Sequence, residues 1–264
     1  MTDRRPDPSE VARYLRQQGD LAGGEVFLSR LSGKEALELA LEARRLSEMR
    51  SREWEPTPEA AEGPVLPDPE KAEAAFPDRE ALPADYEGLR QQALTCQRCE
   101  LARARTNVVF SDGNPDARLM VVGEAPGAKE DETGLAFVGP AGQYLDLLLA
   151  TIDLSRDRSV YICNVLKCRP PGNRNPLPEE IRECTPYLRR QIELIDPDAI
   201  LGVGAFAAQF LTGRETALGR LRGEVYAYQG VPVVVTYHPA ALLRNRGWTR
   251  ATWDDLQLLR QVMA

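Results

Sequence analysis

Four cysteines, Cys96, Cys99, Cys168 and Cys184, constrain this chain more than any other feature. The first two form a C-x-x-C pair in ALTCQRCELA. The third sits in NVLKCRPPGN and the fourth in IRECTPYL. A C-x-x-C pair whose other two partners come from far along the chain is the pattern of a four-thiolate metal site. Such a site staples remote segments together. Disulfides are not expected, because only five cysteines occur in 264 residues, no apolar signal segment is present and Cys163 is left over. The competing reading is a set of scattered buried thiols acting as small apolar side chains. Ligand identity alone does not separate zinc from an iron–sulfur cluster, since both accept four cysteines.

The net charge of -7 looks wrong for a nucleic-acid binder, but it is unevenly spread. Residues 1–90 carry 20 Asp+Glu against 13 Lys+Arg, whereas residues 91–264 carry 20 against 20. All of the net acidity lies in the N-terminal third, so the overall charge says little about what the rest can bind. No run of about 18 apolar residues exists, so no membrane span is expected, and a cytoplasmic monomer is.

The chain divides near residue 86. Residues 8–19 and 34–49 read as helices, and the following stretch is rich in Pro, Glu and Ala. That composition cannot bury enough apolar surface to fold alone and reads as a linker. Residues 1–85 are therefore expected to be an extension, either a dispensable tail or an arm that binds an unidentified protein partner, and residues 86–264 the functional domain.

From residue 91 strands and helices alternate. Residues 118–123, 159–165, 199–204 and 231–237 are short apolar, β-rich runs. Residues 142–152, 178–195, 205–211 and 252–263 read as helices between and after them. This alternation predicts a three-layer α/β/α fold with a central four-stranded, mainly parallel sheet. Ligands in such folds bind outside the carboxyl ends of the strands. Three of the four strand ends carry unusual polar residues: GEAPG after the first, Asn164 at the second and His238, the only histidine, after the fourth. These groups are expected to share one crevice.

GEAPGAKEDETGLAFVGPAGQYLDLLL, NVLKCRPPGNRNP and YHPAALLR, with cysteines at these spacings, resemble the family-4 uracil-DNA glycosylases. The resemblance covers roughly residues 88–264 and does not reach residues 1–85. It implies a 4Fe–4S cluster rather than zinc on Cys96, Cys99, Cys168 and Cys184. It also implies hydrolysis of the N-glycosidic bond of deoxyuridine in single- and double-stranded DNA, leaving an abasic site for base excision repair. That chemistry requires the base to be extracted, its edge read, negative charge on uracil stabilised and water supplied.

The resemblance assigns a residue to each task. Asn164 reads uracil: its oxygen accepts from N3–H and its NH2 donates to O4, a pattern cytosine does not match. Phe137 stacks under the flipped base. His238 reaches O2 and stabilises the developing anion. Gly123 and Ala125 line the base, and Gly123 and Gly127 permit close backbone approach. Ala125 occupies the place where other branches of the superfamily carry a water-activating Asp or Asn, so no general base stands there. Glu124 or Glu130 is left to orient water or stabilise the cationic sugar, with Asp131 and Glu132 read equally well as a solvated acidic loop. Leu242 and Leu243 are candidate wedges for the gap left by the flipped nucleotide. Arg244, Arg246 and Arg250, with Arg169 and Arg174 as a second patch, are candidate phosphate contacts. Two other readings remain: an iron–sulfur protein that binds uracil-DNA without turnover, and a non-catalytic, polymerase-associated module. The cross-linking relatives carry a nucleophilic histidine after the second strand, and KCRPPGNRNP has none.

Overall fold

The computed structural model describes residues 82–264. The helices expected at 8–19 and 34–49, the linker and the partner-binding arm lie outside the described residues.

Three runs are buried along their whole length: β2 (Leu119–Gly123), β3 (Val160–Asn164) and β4 (Ala199–Val203). Continuous apolar runs of this kind suit strands covered on both faces, as parallel strands are. β3 pairs parallel with β2, β2 with β4, and β4 with β6 (Val231–Thr236). These are the four strands expected from the sequence. Two short antiparallel strands add to them, β1 (Asp112–Gly113) beside β3 and β5 (Val225–Tyr228) beside β6, so the sheet has six strands in the order β1-β3-β2-β4-β6-β5. β5 returns into β6 through Gln229 and Gly230, both at positive φ (49° and 85°), the geometry of a tight two-residue hairpin. The pattern of alternating apolar runs hid this hairpin because β5 is half exposed and only four residues long.

Successive side chains of each strand enter opposite layers. Met120, Val122, Tyr161 and Cys163 join a core with Leu188 and Ile192 of α6 (Pro178–Ile195) and with Phe206 and Phe210 of α7 (Ala205–Thr212). Leu119, Val121, Val160 and Ile162 join a second core with Leu145 and Leu149 of α4 (Pro140–Ala150) and with Leu256 and Leu259 of α10 (Thr249–Val262). This is the three-layer α/β/α arrangement. No helix among the described residues is long and apolar enough to cross a membrane.

A smaller cluster begins the domain. Leu89 and Ala93 of α1 (Tyr86–Leu94) pack with Phe110 and Tyr187, and Leu82 packs against them. Arg190 donates from Nε to the carbonyl of Pro83 at 3.0 Å. The packed chain thus reaches at least four residues before the boundary expected at 86. The remaining short helices are α2 (Leu101–Ala104), α3 (Ala128–Thr133), α5 (Arg156–Ser159), α8 (Leu218–Leu221) and α9 (Pro239–Arg244).

Candidate active site

The carboxyl ends of β2 and β3 lie side by side, with Gly123 paired to Asn164. A side chain on Gly123 has nowhere to go. Its Cβ would lie 2.4 Å from Oδ1 of Asn164 and 2.6 Å from the ring of Phe137. The absent side chain lets an amide oxygen and an aromatic ring converge on one point of backbone. Asn164 is 2% exposed, yet its Oδ1 has no hydrogen-bond partner. A buried acceptor without a protein partner at a strand end is open to a donor from a ligand or a water. The backbone of Asn164 is held from the other side: the buried Lys167 donates from Nζ to its carbonyl at 2.6 Å. Sequence reasoning missed Lys167, since lysine is ordinarily a surface residue and nothing in NVLKC marks it as buried.

Phe137 and His238 meet with ring centroids 5.5 Å apart and planes 32° from parallel. His238 caps α9, its Nδ1 accepting from the amide of Ala240 at 3.1 Å. That bond leaves the ring proton on Nε2, which makes Nε2–H a donor towards any ligand. Burial pushes its pKa down to about 4, and the charge of Arg244 acts in the same direction while Glu130 opposes it. The ring is therefore neutral at physiological pH. The folded state binds this proton less tightly than the unfolded chain, where a histidine titrates near 6.5. The neutral ring's contribution to stability is complete above that ordinary value and is lost as pH falls through about 4. With one histidine in the protein, the test is direct. The imidazole proton resonances should stay fixed in a titration from pH 8 to 5, and a midpoint near 6.5 would contradict a half-buried neutral ring.

The two candidate carboxylates differ in their surroundings. Glu130 lies on α3, and its Oε1 accepts from the amides of Val138 (2.9 Å) and Gly139 (2.8 Å). Those amides belong to the loop that carries Phe137 and opens α4. The pKa of Glu124 is raised, and burial alone raises it. Asp131, read as a possible loop acid, is buried and accepts from the amides of Thr106 (2.9 Å) and Asn107 (3.4 Å). It serves the fold. Glu132 is exposed and pairs with Lys129 at 2.7 Å. Ala125 packs on a cluster that contains Leu101, Leu166 and Cys168.

Of the two candidate wedges, Leu242 is corrected by the structure. It is fully buried in the core beside Leu145 and Leu149, because the apolar face of α9 closes that layer. Leu243 is 46% exposed and stands on the outer face. Arg174, a candidate phosphate contact, is exposed but ion-paired. Its Nη1 and Nη2 donate to Glu180 Oε2 (2.9 Å) and Oε1 (2.6 Å), and Glu180 in turn accepts from the amide of Leu177 at 2.8 Å. This arginine organises the start of α6. Arg169 donates to Asn173 Oδ1 at 2.7 Å, and Arg250 pairs with Asp254 at 3.2 Å. Arg244 and Arg246 are exposed beside Leu243.

Cys96, Cys99, Cys168 and Cys184 line one cavity with Arg105, Lys167 and Tyr187. They come from the turn between α1 and α2, the loop after β3, and α6. Arg105 donates from Nη1 to Cys168 Sγ at 3.3 Å, and the amide of Lys167 donates to Cys184 Sγ at 3.2 Å. Burial pushes the thiols of Cys99, Cys168 and Cys184 up, the last to about 12. Among the described residues no three His, Cys, Asp or Glu side chains form a group that could hold a single metal ion. Cys163 lies apart from this cavity, buried in the core between β3, α6 and α7.

Residues 110–257 match the uracil DNA glycosylase superfamily. The chain belongs to that superfamily. Within it, the similarity runs to type-4 enzymes. A type-4 uracil-DNA glycosylase of Archaeoglobus fulgidus is 46% identical over 161 residues, which cover 58% of this chain and 80% of that protein. One from Thermotoga maritima is 48% identical over 153 residues, covering 57% and 79%. One from Sulfurisphaera tokodaii is 38% identical over 185 residues, covering 67% and 84%.

Proposed function

We propose that this protein is a uracil-DNA glycosylase that flips uracil out of DNA and hydrolyses its N-glycosidic bond, with residues 82–264 as the catalytic domain. The observation that carries the reading is the buried, unpartnered Oδ1 of Asn164, facing Phe137 across Gly123. Uracil N3–H supplies the missing donor, and the amide NH2 meets O4. Cytosine offers a bare N3 and an amino group, so the same amide rejects it. Phe137 stacks on the extracted base, a contact worth about 1–3 kcal/mol in single-strand binding proteins.

Departure of uracil places negative charge on the ring. The neutral Nε2–H of His238 donates to O2 and stabilises that charge. Glu124 orients the attacking water and faces the cationic sugar. Glu130 is committed to two backbone amides and shapes the loop beneath the base. Leu243 fills the space left in the duplex, and Arg244 and Arg246 meet phosphates.

We further infer a 4Fe–4S cluster held by Cys96, Cys99, Cys168 and Cys184. Four thiols around one cavity, two of them accepting N–H donors, fit the donor set and the hydrogen bonding of such clusters. Four cysteines suit zinc equally well, so the choice of a cluster over zinc rests on the family resemblance. The cluster, when bound, supplies a cross-link among three remote segments.

The function is tested by incubating the purified protein with oligonucleotides carrying uracil, cytosine or thymine opposite guanine, followed by alkali. Strand cleavage at uracil alone is expected. Intact strands in all three, from folded and brown protein, would overturn the reading.

A further inference from the structure

Phe137 has φ 54°. The left-handed region is a rare place for a bulky aromatic residue, and such backbone persists only where the surroundings impose it. The surroundings here are specific. Arg156, at the start of α5, donates from Nη1 to the carbonyl of Ala136 at 2.8 Å and from Nη2 to the carbonyl of Phe137 at 2.7 Å. The guanidinium is itself fixed. Asp112 of β1 takes Nη1 at 2.7 Å, and Asp146 of α4 takes Nε at 3.1 Å and Nη2 at 3.0 Å. The Arg156 side chain is only 15% exposed. A rigid planar fork with five donors is the one side chain that can hold two carbonyls and two carboxylates at once. On the far side of the same loop Glu130 holds the amides of Val138 and Gly139. Gly142 lets α4 come close enough that a Cβ there would lie 1.6 Å from the Phe137 carbonyl oxygen.

We propose that Arg156 is a positioning residue for base excision: by clamping the carbonyls of Ala136 and Phe137 it forces the left-handed backbone that sets the Phe137 ring beneath the flipped base. Arg156 touches neither base nor sugar and acts only through Phe137. The sequence offers no sign of this, since Arg156 lies 19 residues from Phe137 in a charged SRDRS segment.

The inference rests on the glycosylase reading, and a double-mutant cycle separates the two. Single-turnover uracil excision is measured for wild type, Arg156→Met, Phe137→Ala and the double variant, with circular dichroism to establish folding. Absence of excision by wild type would defeat the glycosylase reading itself. With wild type active, Arg156→Met should lower the rate by roughly 10²-fold, the scale of loss when a reacting group is displaced by about 1 Å. In the Phe137→Ala background the same change should cost less than about 3-fold, since its target is gone. Equal losses in both backgrounds, or no loss in wild type, would overturn the proposal. Should Arg156→Met fail to fold, Asp146→Asn serves in its place, because it loosens the guanidinium while leaving Asp112 to hold it. It should slow excision by about 3-fold or more in wild type and leave the Phe137→Ala rate unchanged. Equal losses in the two backgrounds would again overturn it.

Discussion

Asn164→Asp will lower single-turnover excision of uracil by roughly 10²-fold or more, about 3 kcal/mol of transition-state binding. The side chain is buried and its Oδ1 is free of partners, so the base edge is its only counterpart. An ionised Asp carries two acceptors and no donor, so it still accepts from N3–H but meets O4 with repulsion. A protonated Asp donates to cytosine N3 and accepts from its amino group, so slight cytosine excision should emerge as pH is lowered. His238→Ala gives the contrasting result. It slows excision without changing the choice between uracil and cytosine, because O2 is common to both bases. Single-turnover rates of both variants on uracil and cytosine opposite guanine decide the matter. Near-wild-type uracil excision by Asn164→Asp would refute the reading of the base.

With the proposed cluster on these cysteines, Cys184→Ala will yield colourless protein and destabilise the fold by on the order of 4 kcal/mol, the range in which loss of a metal site falls. For a domain of this size that is a fall of about 10 °C in melting temperature. The reason is that binding energy at such a site is folding energy. Cys184 lies on α6 while its companions lie in the turn after α1 and the loop after β3, so removing it frees α6 from both. Cys163→Ala is the control: that thiol is buried in a different core and should leave about four irons per chain in place. A Cys184→Ala variant that keeps its iron and its melting temperature would show that the ligands are wrong.

The parallel part of the sheet was legible in the sequence because its strands are buried on both faces and read as unbroken apolar runs. β1 and β5 were not, being short, half-exposed edges whose composition carries no period. The meeting of Asn164, Phe137 and His238 followed from strand ends and from the resemblance to a known family. What escaped was the support beneath them. Lys167 and Arg156 are cations in buried roles: Arg156 is held by partners that only the fold brings near, and Lys167 turns inward to a carbonyl three residues back. The two leucines of HPAALLR look alike in sequence. A single residue step, about 100° around the helix, decides that Leu242 faces the core and Leu243 faces outward. Nor does the sequence show that the exposed Arg174 is paired with the buried Glu180 on the first turn of α6.

The most direct test of the central claim is the number of uracil bases released per protein chain. Wild-type protein is mixed with a tenfold excess of uracil-containing duplex, and free uracil is counted by chromatography alongside abasic strands. The account predicts several uracils per chain, each matched by one abasic site. Free uracil that never appears while the DNA stays bound would contradict it and would mark a uracil-DNA-binding protein without turnover.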